Sequence, residues 1–570
     1  MIYRFAVVYA FLLTLPTCVW SQVVAPGNVE ALLRRHLEAG EFGPAQQLAF
    51  GADAGARDRL LNQIALAQAA AGGRRASVGT AGLIADDLAR TAAMNGIASQ
   101  PAGGFLGRGG AALADFDSLM NLITSTIAPE SWDDVGGPGA VEPFPGGVFV
   151  DGDGVLRKAL IEAGDTRLSA LRTSAIESIG NVDVRRASAM RKVSVTRLER
   201  HLQARAALGL PADESMLTLA GLQKIQYVFV YPETRDIVIA GPAGNWTTDV
   251  EGRPLSMETG RPLMHLDDLV VVLRNAFDGD GRFGCSITPK QENLLRTKAF
   301  LETSAGKAIK PTQRDSWLED LRKTVGKQDI QVFGIDPRTR TARVIVEADY
   351  RMKLVGMGLE EGVLGVTSYL ALLEAGEVDQ PMNVLRWWFT LNYDALRTTE
   401  NHDAYELHGQ GVKVLSENEF LNETGERVHT GKSDEPTAEF AHTFTKHFPE
   451  LAKKYPIYAE LQNIFDLALV ASLLQGENAP ELIDWKMPYF GPNGKYQPQL
   501  GLSPMQVESV INHRVMTKSK FVAGVSGGVT VDPKEYVTAE NIKLDEYGGL
   551  KAARGNSAPK NVPANAWWWD

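Results

Sequence analysis

Residues 221–240 (GLQKIQYVFVYPETRDIVIA) are echoed 105 residues later, beginning at Gly326. Without a gap, Gly221, Gln223, Ile225, Gln226, Pro232, Thr234 and Arg235 match Gly326, Gln328, Ile330, Gln331, Pro337, Thr339 and Arg340. Seven identities in fifteen positions stand well above the about one expected from average residue usage, so a folding unit reads as duplicated. Each copy predicts a β-hairpin preceded by a helix. Gly221 and Gly326 fall where a helix takes a left-handed C-terminal residue. The runs 225–231 and 330–335 are rich in β-branched and aromatic residues, and 237–240 and 344–346 return after a turn. Pro232 and Pro337 preset the turn backbone. A Pro-x-Thr-Arg turn could also be a binding loop, but turn chemistry is a sufficient local cause for these residues.

The rest of the chain arranges around the two copies. A first unit, 187–287, opens with a helix carrying Val195, Leu198 and Leu202. It closes with the apolar stripe Leu266, Leu269, Val270, Leu273 and Phe277 and a strand over 283–287. A second unit, 288–434, opens on Thr288-Pro289-x-Gln291, which reads as a capping box with proline at its favoured place. Trp317, Leu318, Leu321 and Val325 mark the helix before its hairpin. Residues 363–373 predict the helix after it, and 385–393 and 404–415 predict strands. Residues 435–476 form a helical pair, with Phe440 and Phe444 on one face of the first helix. Leu461, Ile464, Phe465, Ala468 and Leu469 stripe the second.

Upstream, 22–71 predicts a helical hairpin capped by Asn28, 72–110 a Gly- and Ala-rich linker, and 111–156 a small helix-strand segment. That segment holds an amphipathic helix over 115–127, a strand over 147–150 and an Asp-Gly-Asp-Gly turn at 151–154. Downstream, 477–547 is loop-rich with a hairpin about Gly527 and Gly528, and 548–570 is a flexible tail. The expected fold class is α+β, built of duplicated helix-hairpin-helix-strand units with a C-terminal helical pair and N-terminal helices. Two duplicated hairpins packed together would leave a pseudo-symmetric groove, a candidate binding surface.

The 570 residues carry a formal net charge of -11, with 44% hydrophobic and 22% charged residues. That is a globular composition long enough for roughly three or four domains, and its acidic balance argues against nucleic acid or an anionic membrane as partner. Arg4, the apolar run 5–15 and Val19-Trp20-Ser21 read as an export signal over 1–21, with Gln22 beginning the mature chain. No stable membrane span is then expected, because the apolar run is short for a bilayer; a retained anchor or acylation at Cys18 are the alternatives. Loss of Cys18 leaves Cys285 as the single mature cysteine, read as a small core residue rather than a catalytic thiol.

Several stretches resemble an uncharacterised domain family, a domain of unknown function, of exported planctomycete proteins. They are the Tyr-Val-Phe-Val-Tyr-Pro run from 227, Leu266-Asp267-Asp268-Leu269, Cys285-Ser286-Ile287, Arg386-Trp387-Trp388-Phe389 and Leu461-Gln462-Asn463-Ile464-Phe465-Asp466-Leu467. Residues 115–139, with Ala128-Pro129-Glu130-Ser131-Trp132, are similar to a short segment recurring in exported proteins of that group. The resemblance spans about 145–475 and implies a compartment but no mechanism.

Chemical motifs are sparse. Gly524-Val525-Ser526-Gly527-Gly528 matches the Gly-x-Ser-x-Gly nucleophile pattern, but Val529-Thr530-Val531 supplies a strand where a helix is needed. His402-Asp403-x-x-Glu406-x-His408 is the densest set of metal-ligating types, yet an extended strand would hold its histidines about 20 Å apart. His442 and His447 miss the four-residue spacing of helical zinc pairs. Asp278-Gly279-Asp280-Gly281 lacks the later ligands of a calcium loop and reads as a tight turn. Gly356-x-Gly358-x-x-x-Gly362 reads as flexible linkage. No metal or cofactor is expected.

The functional expectation is therefore an exported, non-catalytic scaffold or binding protein with an unknown protein or an envelope polysaccharide as partner; an exported hydrolase assembled from distant residues is the alternative. Trp567, Trp568 and Trp569, on a tail poor in large apolar residues, are the candidate binding residues. They would stack on a sugar or enter a partner pocket, unless they tuck into the chain's own fold.

Overall fold

The structure is a computed structural model and describes residues 26–38, 40–71, 73–100, 140–144, 147–151, 184–303, 314–373, 382–422, 426–503, 505–515, 520–560, 562–563 and 566–570. The chain divides into two compact units, Met1–Phe105 and Leu106–Asp570. The expected helix over 115–127 and the turn at 151–154 lie largely outside the described residues. Residues 147–151 form a strand paired with Ala140–Phe144.

The first unit is helical: α1 (Pro26–Glu38), α2 (Phe42–Phe50), α3 (Ala54–Ala70), α4 (Arg74–Ala81) and α5 (Asp87–Ser99). Helix α1 begins at Pro26, two residues before the expected cap Asn28. Two helices stand where a linker is expected over 72–110. Small side chains there permit close packing rather than flexibility: Ser77, Thr80, Ala81, Ala93 and Ile97 are buried, and the Thr80 hydroxyl donates to Gln68 Oε1 at 2.6 Å. Asp86 caps α5 by accepting from Ala89 N, supplying the start signal that glycine-rich composition obscures.

The second unit is α+β, with two large sheets. One runs Ile542–Leu544, Ala395–Thr398, Ala404–His408, Tyr227–Tyr231, Asp236–Ala243, Ser188–Ser194, Trp568–Trp569. The other runs Arg427–His429, Gly411–Leu421, Met382–Asn392, Lys520–Val531, Phe283–Pro289, Lys327–Phe333, Gln506–Glu508, with Ile511–Val515 also paired to Lys520–Val531. Helices that pack with these sheets include α6 (Val195–Ala207), α7 (Leu266–Asp278), α8 (Arg340–Gly356) and α9 (Glu435–Lys446). Another, α10 (Pro456–Gly476), is long and apolar enough to cross a membrane, but its apolar window is wholly buried. It is apolar on all sides because protein surrounds it, and one cluster joins its Leu461, Ile464 and Phe465 to α7, α8 and α9.

The echo holds to its turn and then parts. Gly221 and Gly326 both take positive φ, +80 and +61, and each opens onto a strand. The first copy returns antiparallel, with Tyr227 opposite Ala240 and Tyr231 opposite Asp236. The second does not return: Val344 and Val346 lie in α8, which corrects the expected second hairpin and removes the symmetric groove. Thr339 caps α8, its side chain accepting from Ala342 N. Val344, Ile345, Ala348 and Met352 then face the core at helical spacing.

Other expectations change for local reasons. Residues 404–415 form two strands, because Gly409 (φ +132) and Gly411 (φ +87) carry the chain from one sheet to the other. Gly527 and Gly528 lie inside the continuous strand Lys520–Val531, not in a hairpin turn. A Cβ at either would strike a backbone carbonyl of a neighbouring strand, that of Trp387 or of Cys285. The capping box at Thr288 does not form, since the strand continues to Pro289 and the helix Gln291–Glu302 begins without a side-chain cap. Only one helical turn, Tyr369–Leu372, forms within 363–373. The expected boundaries between 187 and 570 fall inside one compact unit, because strands from 187–287, 288–434, 477–547 and 548–570 share the two sheets and the helices of 435–476 pack into the same core.

The tail is also corrected. Trp568 and Trp569 pair with Val193 and Lys192 as an edge strand, and Trp567 is buried at 6% exposure. Arg191, itself fully buried, stacks on Trp568 at 4.6 Å. It grips the Asp570 carboxylate through two contacts of 2.9 Å. Tryptophan's apolar area and a buried guanidinium that backbone carbonyls bond but do not neutralise both favour this docking over exposure.

Candidate functional site

Two helix N-termini meet a strand-loop at one charged cleft of about 430 Å³. Helix α7 contributes His265, which precedes it, and Asp267 in its first turn; α8 contributes Arg340, Arg343 and Glu347. The loop between the short paired strands Trp246–Thr248 and Pro254–Ser256 delivers Glu251 and Arg253, α10 delivers Glu460, and residues 499–501 form a wall. That wall is fixed to the second copy's turn, with Gly501 N donating to Arg338 O at 2.8 Å and Leu500 bridged to Thr339.

Most charges inside the cleft are committed to one another. Arg253 donates to Glu460 Oε2 at 2.9 Å and Glu347 Oε1 at 2.8 Å, and also pairs with Glu251. Arg340 bridges Asp268 and Glu460. Burial pushes the Asp268 and Glu460 carboxyls up, while Arg340 pulls both back. Asp267 accepts from the Tyr496 hydroxyl at 2.7 Å and from Gln499 N at 3.0 Å. Acids held this way are structural counterions rather than free acid-base groups.

Two groups are left over. Arg343 is exposed and, among the described residues, carries no ion pair. His265 Nε2 is buried without a hydrogen-bond partner. Burial holds the His265 imidazole well below its ordinary pKa, and the Arg340 and Arg343 charges add to that, so it is neutral at neutral pH. A second, apolar cavity of about 190 Å³ adjoins the cleft and shares Arg343 and Glu347 with it; Ile330, Val332, Val346 and Tyr350 line it.

The sequence motifs are not brought together here. His402 pairs with Glu477 and His408 with Asp394, each at its own end of the strand Ala404–His408. Cys285 is buried and its thiol is pushed far up by burial, with Asp349 adding to the shift; it is a core residue, not a nucleophile. Ser526 is equally buried, its hydroxyl donating to Leu385 O at 3.2 Å. The three tryptophans serve the sheet edge. Sequence reasoning missed the cleft, although two signals touched it: the Pro-x-Thr-Arg turn, whose second copy holds Arg338 and Arg340, and the Asp267-Asp268 pair.

Residues 285–369 match a family model described as "Protein of unknown function (DUF1598)". This is narrower than the 145–475 expected from the resemblance, and it contains the Arg338, Arg340, Arg343 and Glu347 side of the cleft. No curated protein and no solved structure matches the chain.

Proposed function

We propose that this chain is an exported binding protein whose cleft takes a small amphiphilic anion, a carboxylate or phosphate attached to an apolar group. The observation that carries the reading is the pair of uncommitted groups at the mouth of two helices, Arg343 and the buried His265 Nε2. Helix N-termini and a free guanidinium favour negative charge. A neutral imidazole adds one directed hydrogen bond without a second buried charge. The adjoining apolar cavity, which Arg343 also lines, suits the remainder of such a ligand. Binding is favoured over hydrolysis because, among the described residues, no serine, threonine, cysteine, lysine or tyrosine lines the cleft and its carboxylates are already paired. Export rests on Arg4, the apolar run 5–15 and the Ser21-Gln22 junction, and mass spectrometry of the mature N-terminus tests that part.

Calorimetric titration of the full chain with inorganic phosphate and with straight-chain carboxylates from acetate to octanoate tests the site. Octanoate should bind more tightly than acetate. Arg343→Ala should weaken binding about tenfold or more, the range of a charge-assisted hydrogen bond, and His265→Phe should weaken it less. Failure of both anion classes to bind, or equal affinity in Arg343→Ala, sinks the reading.

A further inference from the structure

We propose that Glu417, Glu419 and His429 form a binding site for one divalent transition-metal ion, with zinc the cation that their donor set suits. Glu417 and Glu419 stand two apart on the strand Gly411–Leu421, so they share one face of the sheet. The short strand Arg427–His429 pairs beside it with His429 directly opposite Glu419. Cross-strand register, rather than any sequence spacing, assembles the three. One ligand atom from each lies within 4.8 Å of the others.

The separations suit coordination as well as they suit the hydrogen bond that His429 Nδ1 makes with Glu417 Oε2. His429 Nδ1 is 3.1 Å from Glu419 Oε1 and 3.3 Å from Glu417 Oε2. A tetrahedral zinc with bonds of about 2.0–2.1 Å holds its ligands about 3.3 Å apart, so an ion placed among these atoms needs little rearrangement. Glu419 Oε1 supplies an independent reason. Its side chain has no exposed surface, and that oxygen accepts no hydrogen bond, a costly state for a buried carboxylate. A cation there would satisfy it.

The surroundings orient the ligands. Glu419 Oε2, the oxygen not aimed at His429, accepts from Arg427 at 3.0 Å and lies 3.2 Å from Ser526 Oγ, whose one proton it shares with Leu385 O. Glu417 Oε1 accepts from Gly431 N at 2.8 Å. Such outer contacts hold carboxylates in place for a metal. Arg386 is the competitor: it reaches Glu417 Oε2 at 3.4 Å, a long contact, and rests on the Trp388 ring at 4.4 Å. The ion would therefore displace a weak pair and keep the strong ones. His429 is 57% exposed, so the fourth position opens to solvent. Three residues make a poor edge strand by themselves, and an ion bridging His429 to the neighbouring strand would clip it down.

The test uses full-length protein stripped with a chelator and desalted, then titrated with zinc chloride. We expect one equivalent bound per chain, a rise in melting temperature, and visible absorption typical of tetrahedral geometry when cobalt(II) replaces zinc. His429→Ala, a change at an exposed position that spares the fold, should bind about tenfold more weakly or worse and lose the thermal shift; Glu417→Gln should do the same. Arg343→Ala, in the anion cleft, should bind zinc as wild type does. Absence of stoichiometric zinc in the wild type, or equal zinc affinity in His429→Ala, overturns the proposal.

Discussion

The two copies of the echoed segment share a left-handed glycine, a strand and a proline turn, and then do opposite things. After Arg235 the chain returns as Asp236–Ala243, a strand buried on both faces. From Arg340 it runs seventeen residues as α8. The turn residues are alike, so the residues beyond the turn decide. Ile237, Val238, Ile239 and Ala240 are all buried, which a strand between two neighbours requires. In the second copy, apolar residues recur at three and four, and Thr339 caps the helix. The same turn thus closes a hairpin in one place and launches a helix over a cleft in the other.

The largest effect is expected on the side of the first copy. Deleting residues 566–570 strips the last strand from its sheet, removes buried Trp567 and leaves Arg191 without its carboxylate. Loss of a buried tryptophan alone costs about 3–5 kcal/mol, and the unpaired guanidinium adds to it. A large fall in melting temperature is expected; an unchanged one would return the tryptophans to the role of a free docking element.

On the side of the second copy, Asp349 and Lys353 of α8 form a fully buried pair at 2.7 Å. Asp349→Ala should destabilise by about 3–5 kcal/mol, because the ammonium is left uncompensated. The double change Asp349→Leu with Lys353→Met should recover most of that in denaturant unfolding. If the single and double variants unfold alike, the pair is not what makes α8 sensitive.

The finest probe is the matched threonine. Thr339→Ala removes a helix cap and should cost about 1 kcal/mol. Thr234→Ala, at the equivalent but exposed turn position, should stay within about 0.5 kcal/mol. Equal effects in thermal melts would mean that the cap does not distinguish the copies.

Much of the local structure was legible because local causes suffice. The stripe at Leu266, Leu269, Val270 and Leu273, the two longer of the three helices within 435–476 and the left-handed glycines each arise from a few neighbouring residues. Val344 and Val346 have strand-like identities, which suggest a second hairpin, but the packing of α8 in the core, where Val344 is buried, overrides that preference. The break at Gly409 and Gly411 depends on there being two sheets, which no window of sequence reveals. The cleft was least legible of all: Arg253 and His265, Arg343, and Glu460 come from three distant stretches, and neither Arg343's freedom nor the burial of His265 Nε2 exists before the chain folds. Only the Pro-x-Thr-Arg turn and the Asp267-Asp268 pair pointed there.

The pairing of Met382–Asn392 with Lys520–Val531 is parallel, with Met382 opposite Val522, and so encloses a loop of roughly 140 residues whose closure entropy must be met before any contact rewards it. Such a topology has high contact order and predicts slow folding through partly assembled states. Among its described residues, the span 285–369 that carries the family match holds the strand Lys327–Phe333, most of Phe283–Pro289 and neighbouring helices; the strand that joins them to the rest of the sheet, Lys520–Val531, arrives some 150 residues later. A family module can therefore be shorter than a foldable one, and excising this span would yield a fragment with an open sheet edge and a strong tendency to aggregate.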